Sequence, residues 1–482
     1  MMANRAISIL LTALCLPAAA PSSLRADAWP TYRHDNRRSG VTGERLALPL
    51  ARSWEYVGRE RPRTAWAGPA KWNSYAAISN LKSMRNFDPV FYVTAARGCV
   101  FFGSSVDDAV HCLDLETGRE RWTHFTNAPV RVPPSFHGGK LYFGSDDGWV
   151  YCITADSGRP VWQSCGAPTA DRIPVNGKLT ALHPVRTGVL VQDGKAYFAA
   201  SLLPWRKSWL CALDAETGEA ESPGLFRRSY ERMTAQGPML ASRTNLYVPQ
   251  GRQTPLIFQR DDGEAVQSVG SSGFGGVFGL LTEDSMFIHG HGQNHRADGE
   301  LRFFGDTPKK DLLVTFPRAT SIVVHAGVVY LHADGHLQAF HRDKYVHLQG
   351  QIKELESRRK ELEEKKKKLP ETATEADRQS LDADIQSAVE QIARLTESLS
   401  SCFLWRVAVD CPLTLILAGD TLFAGGQDRV AAHEMATGRQ VWTASVEGRA
   451  YGLAAVDGAL LVSTDVGRIT CFTGATEAAS AR

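Results

Sequence analysis

Two stretches of this chain repeat one phrase at a fixed distance. Cys-Leu-Asp-Leu-Glu-Thr-Gly-Arg-Glu-Arg-Trp occupies 112–122, and Cys-Ile-Thr-Ala-Asp-Ser-Gly-Arg-Pro-Val-Trp occupies 152–162, 40 residues later. A period of this size signals a repeat architecture, because one such unit cannot bury its own faces and must stack on copies of itself. Within a unit, Lys-Leu-Tyr-Phe-Gly at 140–144 reads as a strand, and the polar stretch at 145–148 ends in Gly as a hairpin turn does. The stretch 149–153 reads as a second strand, Asp156-Ser157-Gly158 as a turn, and 159–163 as a strand carrying Trp162. With a lead-in strand, this makes one four-stranded antiparallel unit.

The turn phrase returns at 213–218 and 260–263, at 433–442 with Ala436-Thr437-Gly438, and at 469–474. A degenerate copy, 286–289 with 300–304, and a clear one, 328–340, fill the gap between Gly263 and Gly438 once a helical insert is removed. The count is eight. The last unit lacks its closing strand, and Pro-Leu-Ala-Arg-Ser-Trp-Glu-Tyr at 49–56 has the Trp-strand pattern. The expectation is therefore an all-β chain: an eight-bladed β-propeller of four-stranded antiparallel blades, closed by an N-terminal strand that removes the exposed edges.

The insert is expected to be an antiparallel coiled-coil helical hairpin. Tyr345, Leu348, Ile352, Leu355, Arg359, Leu362, Lys366 and Leu369 alternate spacings of three and four. Leu381, Ile385, Ala388, Ile392, Leu395 and Leu399 form a second seam. Pro370 ends the first helix, and Thr374 with the acids after it starts the second. The Lys- and Glu-rich faces read as a solvated tip, with a partner-reaching stalk as the functional reading.

The N-terminal stretch suggests export. Arg5 precedes an uncharged apolar stretch at 6–20, too short to span a membrane, with cleavage expected after Ala20 or Ala26. The domain reading is a signal peptide at 1–26, propeller at 27–343, hairpin at 344–401, propeller at 402–475 and a tail at 476–482. The mature chain is expected to be periplasmic or secreted, without a transmembrane segment, and a monomeric propeller. A formal charge of +2 and the lack of a basic, aromatic-interleaved stripe argue against a nucleic-acid partner. Cys112, Cys152, Cys211 and Cys471 recur near one place in the third strand of different blades, where small core thiols are expected. Cys402 and Cys411 flank one strand, and the compartment leaves a pairing open to them.

Candidate ligand groups sit at the lead-in of each blade. Arg131 and Arg186 lie 11 residues before Tyr142 and Tyr197, both in Pro-Val-Arg; Gln236 lies 11 before Tyr247, and Arg318 lies 12 before Tyr330. Together with Arg252 they make a channel rim suited to a small anionic ligand. The competing reading is that each Arg pairs with an acid to tie blades together. His289 and His291 form a weak His-x-His candidate, and no metal is expected. No Ser-His-Asp, Gly-x-Ser-x-Gly or His-Glu-x-x-His arrangement is recognisable.

Leu-Asp-x-x-Thr-Gly-x-x-x-Trp, at 113–122 and echoed at 213–218 and 433–442, resembles the pyrroloquinoline-quinone (PQQ) repeat. The opening Trp29-Pro30-Thr-Tyr-Arg33-His-Asp-Asn-Arg-Arg-Ser-Gly40 looks like the start of secreted bacterial members of that family. The resemblance covers roughly 28–343 and 402–475. It implies either a quinoprotein dehydrogenase or a non-catalytic propeller of the kind that serves outer-membrane protein assembly. The adjacent cysteines typical of the dehydrogenases are missing, as is a Cys-x-x-Cys-His haem site. The expectation is a non-catalytic scaffold in the cell envelope that binds a protein or a small anionic ligand, with the hairpin as its arm and no cofactor. The alternative is a PQQ-dependent oxidoreductase with PQQ and calcium in the channel.

Overall fold

The computed structural model describes residues 28–66, 86–175, 178–251, 253–268, 275–290, 299–306, 311–370 and 372–475. The expected signal peptide, the C-terminal tail, Arg252 and His291 lie outside these residues. Eight four-stranded antiparallel blades follow one another along the chain. Blades 1 to 6 are separate sheets spanning 93–125, 135–165, 190–230, 240–268, 278–317 and 319–408. Blades 7 and 8 share the long strand Gln440–Val456, whose first part pairs with Gln427–Glu434 and whose second part pairs with Ala459–Thr464. Blade 8 is completed by the N-terminal strand Leu50–Val57, which pairs antiparallel with Arg468–Gly474 and sets Trp54 opposite Cys471.

The repeated phrase has a packing purpose. At five joints the outer-strand aromatic of one blade lies on the turn glycine of the next: Trp54 on Gly118, Trp122 on Gly158, Trp162 on Gly218, Phe226 on Gly263 and Trp405 on Gly438. Gly158 has φ +66°, open to glycine at no steric cost, and a Cβ there would stand 2.7 Å from the ring of Trp122. The indole N–H of Trp122 then donates to Ala155 O at 3.3 Å, and that of Trp162 to Ala215 O at 3.0 Å. Trp54 repeats the contact across the ring closure, lying on Gly118 of blade 1 and donating to Leu115 O at 2.7 Å. Thr-Gly and Trp recur together because they are two halves of one joint between blades.

The segment 29–42 runs across the central channel. Trp29 bridges Ala95, Phe136 N donates to Pro30 O, and Asn36 Nδ2 donates to Val191 O. Ala241 N and Leu281 N donate to Asn36 O and Arg37 O, while Arg33 reaches Ile322 O at 3.1 Å and Leu415 O at 3.3 Å. Arg38, buried, donates to Met239 O at 3.0 Å and to Thr31 at 2.7 Å. One stretch of chain thus ties the inner strands of blades 1 to 7 together, near the ends where those strands leave the channel.

The insert leaves blade 6 between its third and fourth strands, His336–His341 and Phe403–Ala408. It comprises the helices Arg342–Lys367 and Glu375–Ser398, which pack on each other and bury Ile352, Leu362 and Ala388. Thr374 caps the second helix in a reciprocal capping box with Asp377. At the base, Tyr345 packs against Phe316, Phe340 and Phe403. Lys353 donates to Leu312 O at 2.8 Å. The hairpin is therefore seated on blades 5 and 6.

Candidate functional site

Pro-Val-Arg places its arginines by packing. In the lead-in to blade 3, Val185 lies against Gly144 of blade 2, so closely that a Cβ on that glycine would fall 2.2 Å from Val185 Cγ1. Arg186 follows directly and points to Asp146. Its Nε and Nη2 bind the two Asp146 oxygens at 2.7 and 2.8 Å, a bidentate fork. Arg131, one blade earlier, shares the same carboxylate at 2.6 Å and reaches Asp88 at 2.7 Å. Asp88, Asp146 and Arg186 are buried, and the Arg131 side chain is 9% exposed. Burial opposes charge on Asp146, but the two guanidiniums outweigh it and hold the carboxyl below its ordinary value. Burial likewise works against Arg131, and Asp146 and Asp88 outweigh it and raise its pKa. At Asp88 burial prevails over Arg131, and the pKa is raised.

Gln236, at the corresponding place in blade 4, joins these two through Trp66. The Trp66 indole N–H donates to Gln236 Oε1 at 3.1 Å, and the Arg186 guanidinium lies 5.7 Å from the Trp66 ring centre. Arg131, Arg186 and Gln236 thus converge. Arg318 does not join them: it is exposed and pairs with Asp334 of its own blade. His289 is buried, its Nδ1 3.2 Å from Phe278 O, and its ring stacks on Phe287. Among the described residues no group of three or more His, Cys, Asp or Glu is placed to hold a metal.

Two cavities border this cluster. The larger, about 760 Å³, is walled by Trp66, Ile173, Leu203, Trp205, Gln236 and Gln250, among others. The smaller, about 220 Å³, is walled by Arg63, Ser105, Arg131, Lys178, Thr180 and Arg186. A two-stranded hairpin, Arg172–Val175 with Lys178–Ala181, contributes to both walls and is tied to blade 1 by Lys178–Asp108 at 2.6 Å. Two donors remain open here: Arg186 Nη1 and Gln236 Nε2 are buried without hydrogen-bond partners. Trp205 is 71% exposed at the mouth. Sequence reasoning missed Trp66, Asp88, Asp146 and the hairpin. Only Asp146 had a local signal, the Ser-Asp-Asp-Gly turn at 145–148, read as backbone chemistry alone.

The profile of a family described as outer membrane protein assembly factor BamB matches residues 72–344. This chain belongs to that family of PQQ-repeat propellers. Its quinone-repeat kinship extends to the quinoprotein ethanol dehydrogenase of Pseudomonas putida, 29% identical over 164 residues, 30% of this chain and 22% of that protein. The chain therefore spans about a fifth of the length of the curated relative it matches. Among solved structures, a europium-containing methanol dehydrogenase aligns at TM-score 0.53 and 11% identity, covering 90% of this propeller and 89% of that chain. Quinohemoprotein alcohol dehydrogenase from Pseudomonas putida HK5 aligns at 0.52 and 11%, covering 93% and 80%. At such identity the likeness is one of fold.

Proposed function

We propose that this chain is a non-catalytic, extracytoplasmic binding scaffold of the cell envelope. In this reading the channel mouth takes a small carboxylate-bearing ligand with an apolar body, and the helical hairpin is an arm for a protein partner. The observation that carries the ligand reading is two open donors, Gln236 Nε2 on the cavity of about 760 Å³ walled by tryptophan, leucine and isoleucine, and Arg186 Nη1 on the neighbouring cavity of about 220 Å³. A buried donor without a partner costs about 1–3 kcal/mol, and an incoming carboxylate relieves the donor it reaches. The chain contains a short apolar leader-like start, in keeping with export, and no helix among the described residues is long and apolar enough to cross a membrane.

The rival reading, a PQQ-dependent oxidoreductase, draws on the ethanol dehydrogenase match. Calcium takes six to eight oxygen ligands, carboxylates prominent among them. The described residues walling the two cavities include no carboxylate and no cysteine, and Asp88 and Asp146 are engaged by Arg131 and Arg186. This wall does not fit a calcium-bound quinone.

Titration with octanoate and benzoate, followed by tryptophan fluorescence, tests the ligand reading against octanol and benzyl alcohol as controls. Saturable quenching by the acids alone, lost in Gln236→Ala, is expected; equal response to acid and alcohol would overturn it. Adding pyrroloquinoline quinone with calcium and following dye-linked alcohol oxidation separates the rival. Turnover there would replace the scaffold reading.

A further inference from the structure

Blade 1 holds a second thiol where its sister blades hold none. Cys99 is the first residue of the strand Cys99–Ser104 and faces Asp114 in register, while Cys112 faces Phe101. The two cysteines are therefore diagonal neighbours on one face of adjacent strands. The same register position as Cys99 is Lys140 in blade 2, Lys195 in blade 3 and Thr421 in blade 7. The position of Cys112 is Cys152, Ala212 and Ala432 in those blades. Arg121 Nη1 donates to Cys99 Sγ at 3.0 Å while its Nε binds Asp114 at 3.1 Å, and Cys112 Sγ lies 3.9 Å from Leu113 O.

We propose that Cys99 and Cys112 form a dithiol–disulfide site, in which Arg121 activates Cys99 as the attacking sulfur and Cys112 resolves the mixed disulfide. The Cys99 thiolate attacks a disulfide, either a low-molecular-weight one or that of a thiol oxidase. One thiolate leaves and a mixed disulfide forms on Cys99. Cys112 gives up its proton and attacks Cys99 Sγ, expelling the second thiolate. Two protein thiols are oxidised and one external disulfide is reduced to two thiols, so electrons balance.

The microenvironment separates the two roles. The neighbouring Cys112, with the charge of Arg121 and against burial, brings the Cys99 thiol down to about 7. Cys99, then burial, pushes Cys112 up, and the Arg121 guanidinium 3.0 Å from Cys99 Sγ marks Cys99 as the attacking sulfur. Elsewhere burial pushes Cys211 and Cys471 up to about 12 and Cys152 to about 11, which leaves them unreactive thiols. Closure must bring the two sulfurs to about 2.05 Å. Cys99 adjoins the Arg97-Gly98 turn, so this end of the hairpin is where the chain can give.

The test uses the folded full chain, reduced, freed of reductant and treated with excess oxidised glutathione at mildly alkaline pH. Remaining thiols are alkylated and tryptic peptides are weighed. Residues 98–119 form one peptide holding both cysteines. It should be lighter by two hydrogen atoms and carry no alkyl group, while the peptides of Cys152 and Cys471 are alkylated in full. Cys112→Ala, with the residue blades 3 and 7 carry there, should trap a stable glutathione adduct on Cys99. Cys99→Lys, as in blades 2 and 3, should leave Cys112 unmodified. Two alkylated thiols in the wild-type peptide, or equal reactivity of Cys112 in Cys99→Lys, would overturn the proposal.

Discussion

Gly158 condenses the logic of the fold into one residue. Its positive φ makes the turn, and its missing side chain makes room for Trp122. Gly158→Ala should cost about 2 kcal/mol from the left-handed backbone alone, and more from the displaced ring. Thermal unfolding measures it, and Trp122→Phe in the same chain should recover part of the loss. His111 makes a second residue-scale prediction. Its Nδ1 lies 2.8 Å from Glu120 and its Nε2 3.0 Å from Asp107, with the ring stacked on Phe102. Burial works to lower its pKa, but the two carboxylates outweigh it and raise it above 6.5. The group gains its partners on folding, so its contribution is complete below pH 6.5 and is lost as pH rises through the raised value. Melting temperature should fall over that interval in the wild type and stay flatter in His111→Gln. An unchanged slope would show that the clamp is not charged.

At the scale of elements, legibility depended on whether a segment closes its contacts locally. The outer-strand Trp, the turn Gly and the capped helices are encoded within a few residues of each other, and all were readable. The strand Leu50–Val57 was also readable, although its partner Arg468–Gly474 lies at the far end of the chain, because its Trp pattern matched a vacancy in the repeat count. Trp54→Ala should cost roughly 3 kcal/mol and should loosen that seam first. Hydrogen exchange at 50–57 and 468–474 should rise ahead of blades 2 and 3. Cys211 shows the opposite case. It stands seven residues before its turn glycine, where Cys112 and Cys152 stand six before theirs, so it points to the other face of its strand and donates to Gly166 O at 3.5 Å. The hairpin's aromatic base makes it a self-contained arm. Replacing 344–401 with a Gly-containing turn should preserve the blade pattern in circular dichroism and remove partners captured from envelope extract. Unchanged capture would sink the arm.

At the scale of the molecule, the segment 29–42 decides what kind of channel this is. Buried Arg38 and Arg33 bond to carbonyls of blades 4, 6 and 7, so Arg38→Met should leave the Met239 carbonyl unbonded and cost about 1–3 kcal/mol. Faster hydrogen exchange at the inner strands, read by mass spectrometry, is the check. With that face crossed by chain, the unpartnered donors of Arg186 and Gln236 lie on the two cavities beside the cluster, which become the natural place for a ligand. The amino-acid sequence alone determined the number of blades, the closing strand and the helical insert, because strand pairing, turn chemistry and helical periodicity repeat locally and are counted along the chain. The tertiary structure alone decided that Arg131, Arg186 and Gln236 meet while Arg318 stands apart, that Asp88 and Asp146 pair with the two arginines, and that Cys99 neighbours Cys112. Those are relations across blades or strands, set by how twisted sheets pack, and no spacing along a sequence carries them.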